Sequence, residues 1–176
     1  TYILDGNRNN VGLATNYLMS DVGMYAKTDM DGGFQDNFDA KLTPTSGMGG
    51  GGDGNYMQRF WDQGFNMVKY ANSVLSYVDQ VEGLDEKIKN AYKGRAYFHR
   101  AYAYYNLTLQ FGDIPLITKL MTTPKQDYKS CSKEAIFQML VHDLEFAAAN
   151  VPSQRDMEYI GMVNQEACMH LLVKCY

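Results

Sequence analysis

The chain has 176 residues, a mass of 19.9 kDa, a formal net charge of -4 and a pI near 5.3. This length suits one domain or part of a larger one, and a hydrophobic content of 45% is enough to bury a sizeable core. The acidic balance argues against nucleic-acid binding, because that function needs cations that neutralise phosphates. The sequence contains no apolar stretch long enough to predict a membrane-spanning helix.

The first 55 residues divide into two parts. Residues 1–20 place Val11, Ala14 and Leu18 at helical spacing and predict a short first helix. Residues 21–55 are rich in Gly and Asp and predict a long irregular loop. Loops of this length are uncommon in compact domains and are often functional.

Helical periodicity starts at Tyr56 and continues to a break near Gly83. Asp85 is a suitable N-cap for a second helix over residues 88–109. This second helix is apolar or aromatic on nearly every side, which is typical of a helix with several packed neighbours. The short link between the two helices predicts an antiparallel hairpin within residues 56–111.

The remaining residues, 132–176, predict further helices. Ser132 can cap a third helix that ends before Pro152, and a fourth begins near Val163. From Glu166 onward the sequence shows no helix stop signal, so we expect the chain to be truncated within a helix. The predicted fold class is all-α: tetratricopeptide-like helical hairpins in an α-α superhelix, with the loop as an insertion.

Residues with catalytic or metal-binding chemistry form no recognisable site. The cysteines are odd in number and include no CxxC pair, so no disulfide framework is implied. The run that begins Asp29-Met-Asp31 has Phe34 where a calcium loop needs glycine, and the histidines form no HExxH pair. The glycines from Gly47 to Gly52 match GxGxxG, but no strand precedes them. We therefore predict no enzyme activity, no cofactor and no metal.

Two arginines, Arg95 and Arg100, lie in the mostly apolar second helix. A buried guanidinium needs carboxylate or carbonyl partners. Structural pairing is the expected use, and Asp143 on the third helix is a candidate partner.

Aromatic residues flank the polar loop. Phe34, Phe38 and Tyr56 lie beside Asp and Asn residues, and this combination suits sugar recognition, since rings stack on C–H faces while amides and carboxylates bond hydroxyls. The alternative is that these rings only anchor the loop to the helices. The predicted ligand-binding residues are Asp21, Phe34, Asn37, Phe38 and Tyr56.

Residues 93–107 read KGRAYFHRAYAYYNL, and residues 110–117 read QFGDIPLI. These segments resemble the SusD/RagB family, which has a helix of the form EA-x-F-x-RA-x-x-Y-x-x-L followed by YGD-x-PL. Trp61 and Asn72, the Ser132 helix and the helix that starts near Val163 are similar to further pieces of that family in the same order. Arg95 departs from the pattern, because the family usually has Glu at this position.

The resemblance implies a surface lipoprotein of the outer membrane that binds oligosaccharide and delivers it to a SusC-like TonB-dependent transporter. In that family a lipid-carrying cysteine anchors the protein, and no such residue begins this chain. Family members are also several hundred residues long, so the resemblance implies that residues 1–176 are the N-terminal part of one longer domain. The loop 21–55 would contribute ligand contacts, with Asp21 as the one motif-level match. Two alternatives remain open: a member of the same family that binds peptides, and a helical scaffold for protein–protein assembly without a small ligand.

Overall fold

The computed structural model describes residues 56–176 except 124, 126 and 158, and of residues 56–59 it describes only the backbone. The predicted first helix and the loop 21–55 lie outside the described residues. The chain divides into two compact units, Thr1–Gln63 and Gly64–Tyr176. The described residues belong to the second unit and to the helix that leads into it, and the assignment of the whole chain to one domain stays a prediction.

Helix α1 spans Tyr56–Tyr77 and is followed by a 3-10 turn at Val78–Gln80. Helix α2 spans Glu86–Phe111, two residues longer at each end than the sequence predicts. Asp85 caps it as expected, since its Oδ1 accepts a hydrogen bond of 2.7 Å from the Lys87 amide. Gly112 ends it with a φ of 72°, a left-handed conformation that favours glycine.

Helices α1 and α2 pack antiparallel. Phe65 meets Tyr104 edge to face, with ring centroids 6.2 Å apart, whereas Asn72 further along α1 reaches Arg100 earlier on α2. A Cβ at Gly64 would lie 2.7 Å from the side chain of Leu107, so the contact depends on glycine. The described residues therefore confirm the predicted antiparallel arrangement of these two helices.

The connector, residues 112–132, contains a feature that the sequence did not predict. Strand β1 at Ile114–Pro115 pairs antiparallel with strand β2 at Ser130–Cys131. Two-residue strands are too short to show an alternating pattern, so periodicity could not reveal them. Their pairing closes the connector into a loop between α2 and the next helix.

Helix α3 spans Lys133–Asn150 and helix α4 spans Gln165–Cys175. Ser132 caps α3 as predicted, by accepting from the Ala135 amide at 3.3 Å, and Asn164 caps α4 by accepting from the Ala167 amide at 2.7 Å. The sequence placed the start of α4 near Val163, two residues before the observed first helical residue.

Helix α2 packs against α3, α3 packs against α4, and α2 also contacts α4. A core cluster of small residues joins α3 and α4, with aromatic side chains of α2 packed against it. Its buried members are Ala147, Ala148, Val151 and Cys168, and the residues packed on them are Tyr97, Phe98 and Val163. The prediction of an all-α fold with tetratricopeptide-like hairpins is confirmed, with the small strand pair as its one addition among the described residues.

No helix among the described residues is long and apolar enough to cross a membrane.

Candidate functional site

A buried ion pair joins α2 to α3. Arg100 is 6% exposed and Asp143 is 1% exposed. Nε of Arg100 donates to one carboxylate oxygen of Asp143 at 2.7 Å, and Nη2 donates to the other at 2.8 Å. This bidentate geometry uses the planar fork of arginine, and lysine could not reproduce it. The predicted pairing of Arg100 with Asp143 is therefore confirmed.

The third nitrogen of Arg100 reaches the connector. Nη1 donates to Oδ1 of Asn72 at 2.9 Å and to the carbonyl of Thr118 at 2.9 Å. Asn72 in turn donates from Nδ2 to the carbonyls of Ile117 at 2.9 Å and Lys119 at 3.3 Å. Three successive connector carbonyls are thus held by two buried side chains of the helices.

Tyr104 adds a further clamp. Its hydroxyl accepts from the Ile117 amide at 2.6 Å and donates to the Ile117 carbonyl at 3.3 Å. Burial raises the pKa of the Tyr104 phenol to about 12, because the charged phenolate would lose its solvation there. Burial also raises the pKa of the Asp143 carboxyl, while the hydrogen bonds and the charge of Arg100 act in the opposite direction.

A shallow cavity of about 290 Å³ lies over residues 117–119, the clamped segment whose carbonyls accept these hydrogen bonds. This volume is at the lower end of the range of small-molecule sites, roughly 300–1,000 Å³. Its lining combines aliphatic and cationic side chains with one tyrosine. The lining residues are Leu116, Ile117, Thr118, Lys119, Met121, Lys125, Tyr128 and Lys129.

The charged side chains of the cavity lining are those of the lysines. Nζ of Lys125 lies 5.5 Å from the ring centroid of Tyr128 and 3.8 Å from Oδ1 of Asp127. Asp127 is not part of the lining, and its side chain is 86% exposed. The described lining thus presents three lysines, of which Lys125 also pairs with Asp127 just outside it. The balance of charge at the cavity stays positive, and it can attract an anionic group.

The side chains of the predicted ligand-binding residues are not among the described ones. Asp21, Phe34, Asn37 and Phe38 lie outside the described residues. Tyr56 is the first residue of α1, and its side chain also lies outside the described part. The connector cavity was not predicted from the sequence, although three lysines and a tyrosine within residues 119–129 were a visible signal.

The other candidate groups of the described residues, which are metal ligands, thiols and Arg95, do not form a site. Among the described residues, no group of three or more His, Cys, Asp or Glu side chains is placed to hold a metal ion. Cys131, Cys168 and Cys175 are free thiols. Nε of Arg95 is buried and makes no hydrogen bond with the described residues, while the Arg95 guanidinium lies 5.7 Å from the ring centroid of Tyr92.

The comparisons with known proteins concern most of the chain. Residues 35–176 match the model of a family described as SusD-like, starch-binding and associating with the outer membrane. The matched range includes Asn37 and Phe38 and begins just after Phe34. Over 104 residues the chain is 31% identical to SusD-like protein P2 of Formosa agariphila, covering 58% of this chain and 20% of that protein.

Solved structures show the same fold. A SusD superfamily protein of Parabacteroides distasonis superposes with a TM-score of 0.63 at 24% identity, over 69% of this chain and 26% of that one. A structure described as being with xylogluco-oligosaccharide gives a TM-score of 0.59 at 26% identity, over 68% of this chain and 23% of that one. The chain spans about a fifth to a quarter of the length of the curated relatives it matches.

Proposed function

The chain belongs to the SusD-like family, and from this premise we propose that it is part of a protein that captures oligosaccharides at the bacterial cell surface. The observation that carries the proposal is the family match over residues 35–176, whose description joins starch binding to association with the outer membrane. A relative solved with xylogluco-oligosaccharide supports a carbohydrate ligand. The function is binding, without covalent chemistry.

The proposal includes a location and a partner. The protein would sit at the outer membrane as a surface-exposed lipoprotein held by a lipid anchor. It would hand its ligand to a SusC-like TonB-dependent transporter. The family description, which includes association with the outer membrane, supports the location, and the resemblance to the SusD/RagB family supports the partner.

We assign the loop 21–55 a share of the ligand contacts. Phe34 and Phe38 would stack on sugar rings, and Asp21 and Asn37 would bond hydroxyl groups. Tyr56, at the start of α1, would complete the aromatic set. Support for this assignment comes from the residue types and their place in the sequence.

The first experiment is a mild-detergent pull-down of the full-length native protein from its own outer membrane, read by mass spectrometry. Stoichiometric recovery of a large TonB-dependent transporter is the expected result. Recovery of the protein alone, under conditions that preserve known transporter complexes, would overturn the proposed partner.

The second experiment is a binding panel with the full-length protein, neutral and charged glycans, and a peptide mixture. Binding to glycans is expected, and alanine at Phe34 or Phe38 should weaken it at least severalfold. Binding to peptides alone would identify a peptide-capturing member of the family. If neither glycans nor peptides bind, and a protein partner binds saturably, the function would be that of a helical scaffold for protein assembly.

A further inference from the structure

The connector cavity differs in charge from the chain that contains it. The chain has 16 Lys and Arg against 20 Asp and Glu, yet the described lining of this cavity holds three lysines and no acidic residue. One carboxylate, that of Asp127, lies just outside the lining against Lys125, so the lysines still outnumber it. Cations gathered around one concave surface raise the local concentration of anions. The three lysines are Lys119, Lys125 and Lys129.

One wall of the cavity is fixed before any ligand arrives. The backbone carbonyls of Ile117, Thr118 and Lys119 are held by buried donors, with distances of 2.9, 2.9 and 3.3 Å. A fixed wall lowers the entropy that binding would otherwise cost. The Lys119 side chain projects from this clamped segment, so its attachment point is also fixed.

A second cation is restrained by an aromatic ring. Nζ of Lys125 lies 5.5 Å from the centroid of the Tyr128 ring, within the range of cation–π attraction. Tyr128 is 38% exposed, and both residues of the pair line the cavity. The pair therefore contributes a charge and a phenol ring to the lining.

The rest of the lining is apolar. Leu116, Ile117 and Met121 line the cavity, and Met121 is 43% exposed. An inorganic anion would use the lysines and leave these side chains without a partner. A sugar unit that carries a carboxylate or a sulfate has both a C–H face for the apolar residues and an anion for the cations.

We propose that the connector cavity binds an acidic sugar unit, with a carboxylate or sulfate group held by Lys119, Lys125 and Lys129. This assignment rests on the proposed function and adds to it a ligand class, acidic oligosaccharides, and a second contact region apart from residues 21–55. The cavity volume of about 290 Å³ limits the contact to a short stretch of the glycan.

The test is calorimetric titration of the full-length protein with tetragalacturonate, a sulfated carrageenan tetrasaccharide, cellotetraose, inorganic sulfate and hexaglutamate. The test variant is K119Q/K125Q/K129Q, and the charge-preserving variant replaces the same lysines with arginine. A matched control, K69Q/K87Q/K174Q, removes the same charge at exposed lysines of the helices. All six positions avoid the buried ion pair, so the variants should fold.

Wild-type protein should bind at least one of the two acidic tetrasaccharides more tightly than cellotetraose. The test variant should lose roughly tenfold in that affinity, because each exposed ion pair typically changes an equilibrium by up to about fivefold. The arginine variant and the matched control should stay within about twofold of wild type. Raising NaCl from about 50 to about 500 mM should weaken the binding of the acidic tetrasaccharides more than any binding of cellotetraose.

Three results would overturn the assignment. If the test variant binds the acidic tetrasaccharides as tightly as wild type, their site lies elsewhere. If only cellotetraose binds, the ligand is not acidic, although the proposed function of glycan capture would stand. Lysine-dependent binding of hexaglutamate or sulfate, without either acidic tetrasaccharide, would identify a different ligand class. If no glycan of any charge binds in this titration or on the broader panel, the proposed function fails as well.

Discussion

The side-chain oxygen of Asn72 accepts a hydrogen bond of 2.9 Å from Nη1 of Arg100, although the two residues lie 28 positions apart in the chain. Asn72 is 1% exposed, so this bond forms away from water. Arg100 also donates to Asp143 on α3, and Asn72 also donates to connector carbonyls. Three helices and the connector therefore share one polar network, and loss of any member leaves buried partners unsatisfied.

The first prediction concerns the charge of this network. Arg100→Met should lower the free energy of unfolding by about 3–5 kcal/mol, because it leaves the Asp143 carboxylate buried without a counter-charge. Urea denaturation of the intact protein, followed by circular dichroism, measures the change. Arg100→Lys should recover only part of the loss, since lysine cannot make the bidentate contact.

Two further variants separate the ion pair from a general packing effect. The double variant R100M/D143L should be more stable than R100M, because no charge then remains buried. Lys93→Met removes a surface pair in which Nζ lies 2.5 Å from Oδ1 of Asp79, and it should cost less than about 1 kcal/mol. If R100M and K93M cost the same, the buried network does not have the stabilising role assigned to it.

Local signals in the sequence were sufficient for most of the helical part of the fold. Asp85 and Ser132 act as N-caps where the sequence placed them, because capping depends on a side chain and amides two or three residues away. Helix ends were less accurate: α2 begins at Glu86 rather than at residue 88. The all-α class followed from the helical spacing of apolar residues together with the cap and stop residues between them.

Long-range geometry was harder to predict. The pairing of Arg100 with Asp143 was expected because a carboxylate faced an arginine across neighbouring helices, but the contacts of Asn72 with connector carbonyls carried no sequence signal. The connector cavity was also missed, since it depends on how a segment without regular structure folds back. The predicted residues at Asp21 through Phe38 lie outside the described residues and stay predictions.

The second prediction concerns Tyr104. Tyr104→Phe removes a hydroxyl that accepts from the Ile117 amide at 2.6 Å, and it should cost about 1–3 kcal/mol because that amide loses its partner. Tyr105→Phe is the matched control on the same helix and should change stability by less than about 0.5 kcal/mol. Equal effects in the two variants would contradict the clamp on the connector.

The same residue gives a pH dependence. The pKa of the folded-state phenol is raised to about 12, above its ordinary value near 10, so its contribution to stability is complete below pH 10 and is lost as pH rises toward 12. Wild type should therefore lose more stability than Y104F between pH 10 and 12. Unfolding free energies measured across that range for both proteins check the difference, and parallel curves would contradict it.

The third prediction concerns the thiol of Cys168. This side chain is fully buried, and burial raises its pKa to about 12. At pH 8 its thiolate fraction would be roughly 10⁻⁴, and local opening is also needed for access. Iodoacetamide should therefore label Cys131 at least about a hundredfold faster than Cys168 in the native protein.

Peptide mass spectrometry of the labelled protein measures this ratio. In concentrated urea the two cysteines should react at similar rates, which controls for the reagent. Rapid labelling of Cys168 under native conditions would show that the core between α3 and α4 opens readily, contrary to its burial.

The fourth prediction concerns the close approach of α2 to α3 at Gly94. A Cβ at this position would lie 2.9 Å from Cγ1 of Val151 and 3.4 Å from the backbone of Ala147, so alanine would force the helices apart. Overpacking of this kind typically costs about 1–3 kcal/mol, while alanine regains up to about 1 kcal/mol of helix propensity. Gly94→Ala should therefore destabilise the intact protein, and Gly94→Val should do so more strongly.

Gln138→Ala, at an exposed position of α3, should stay within about 0.5 kcal/mol of wild type. A stabilised Gly94→Ala variant in urea denaturation would mean that propensity outweighs packing and that the two helices have room to separate.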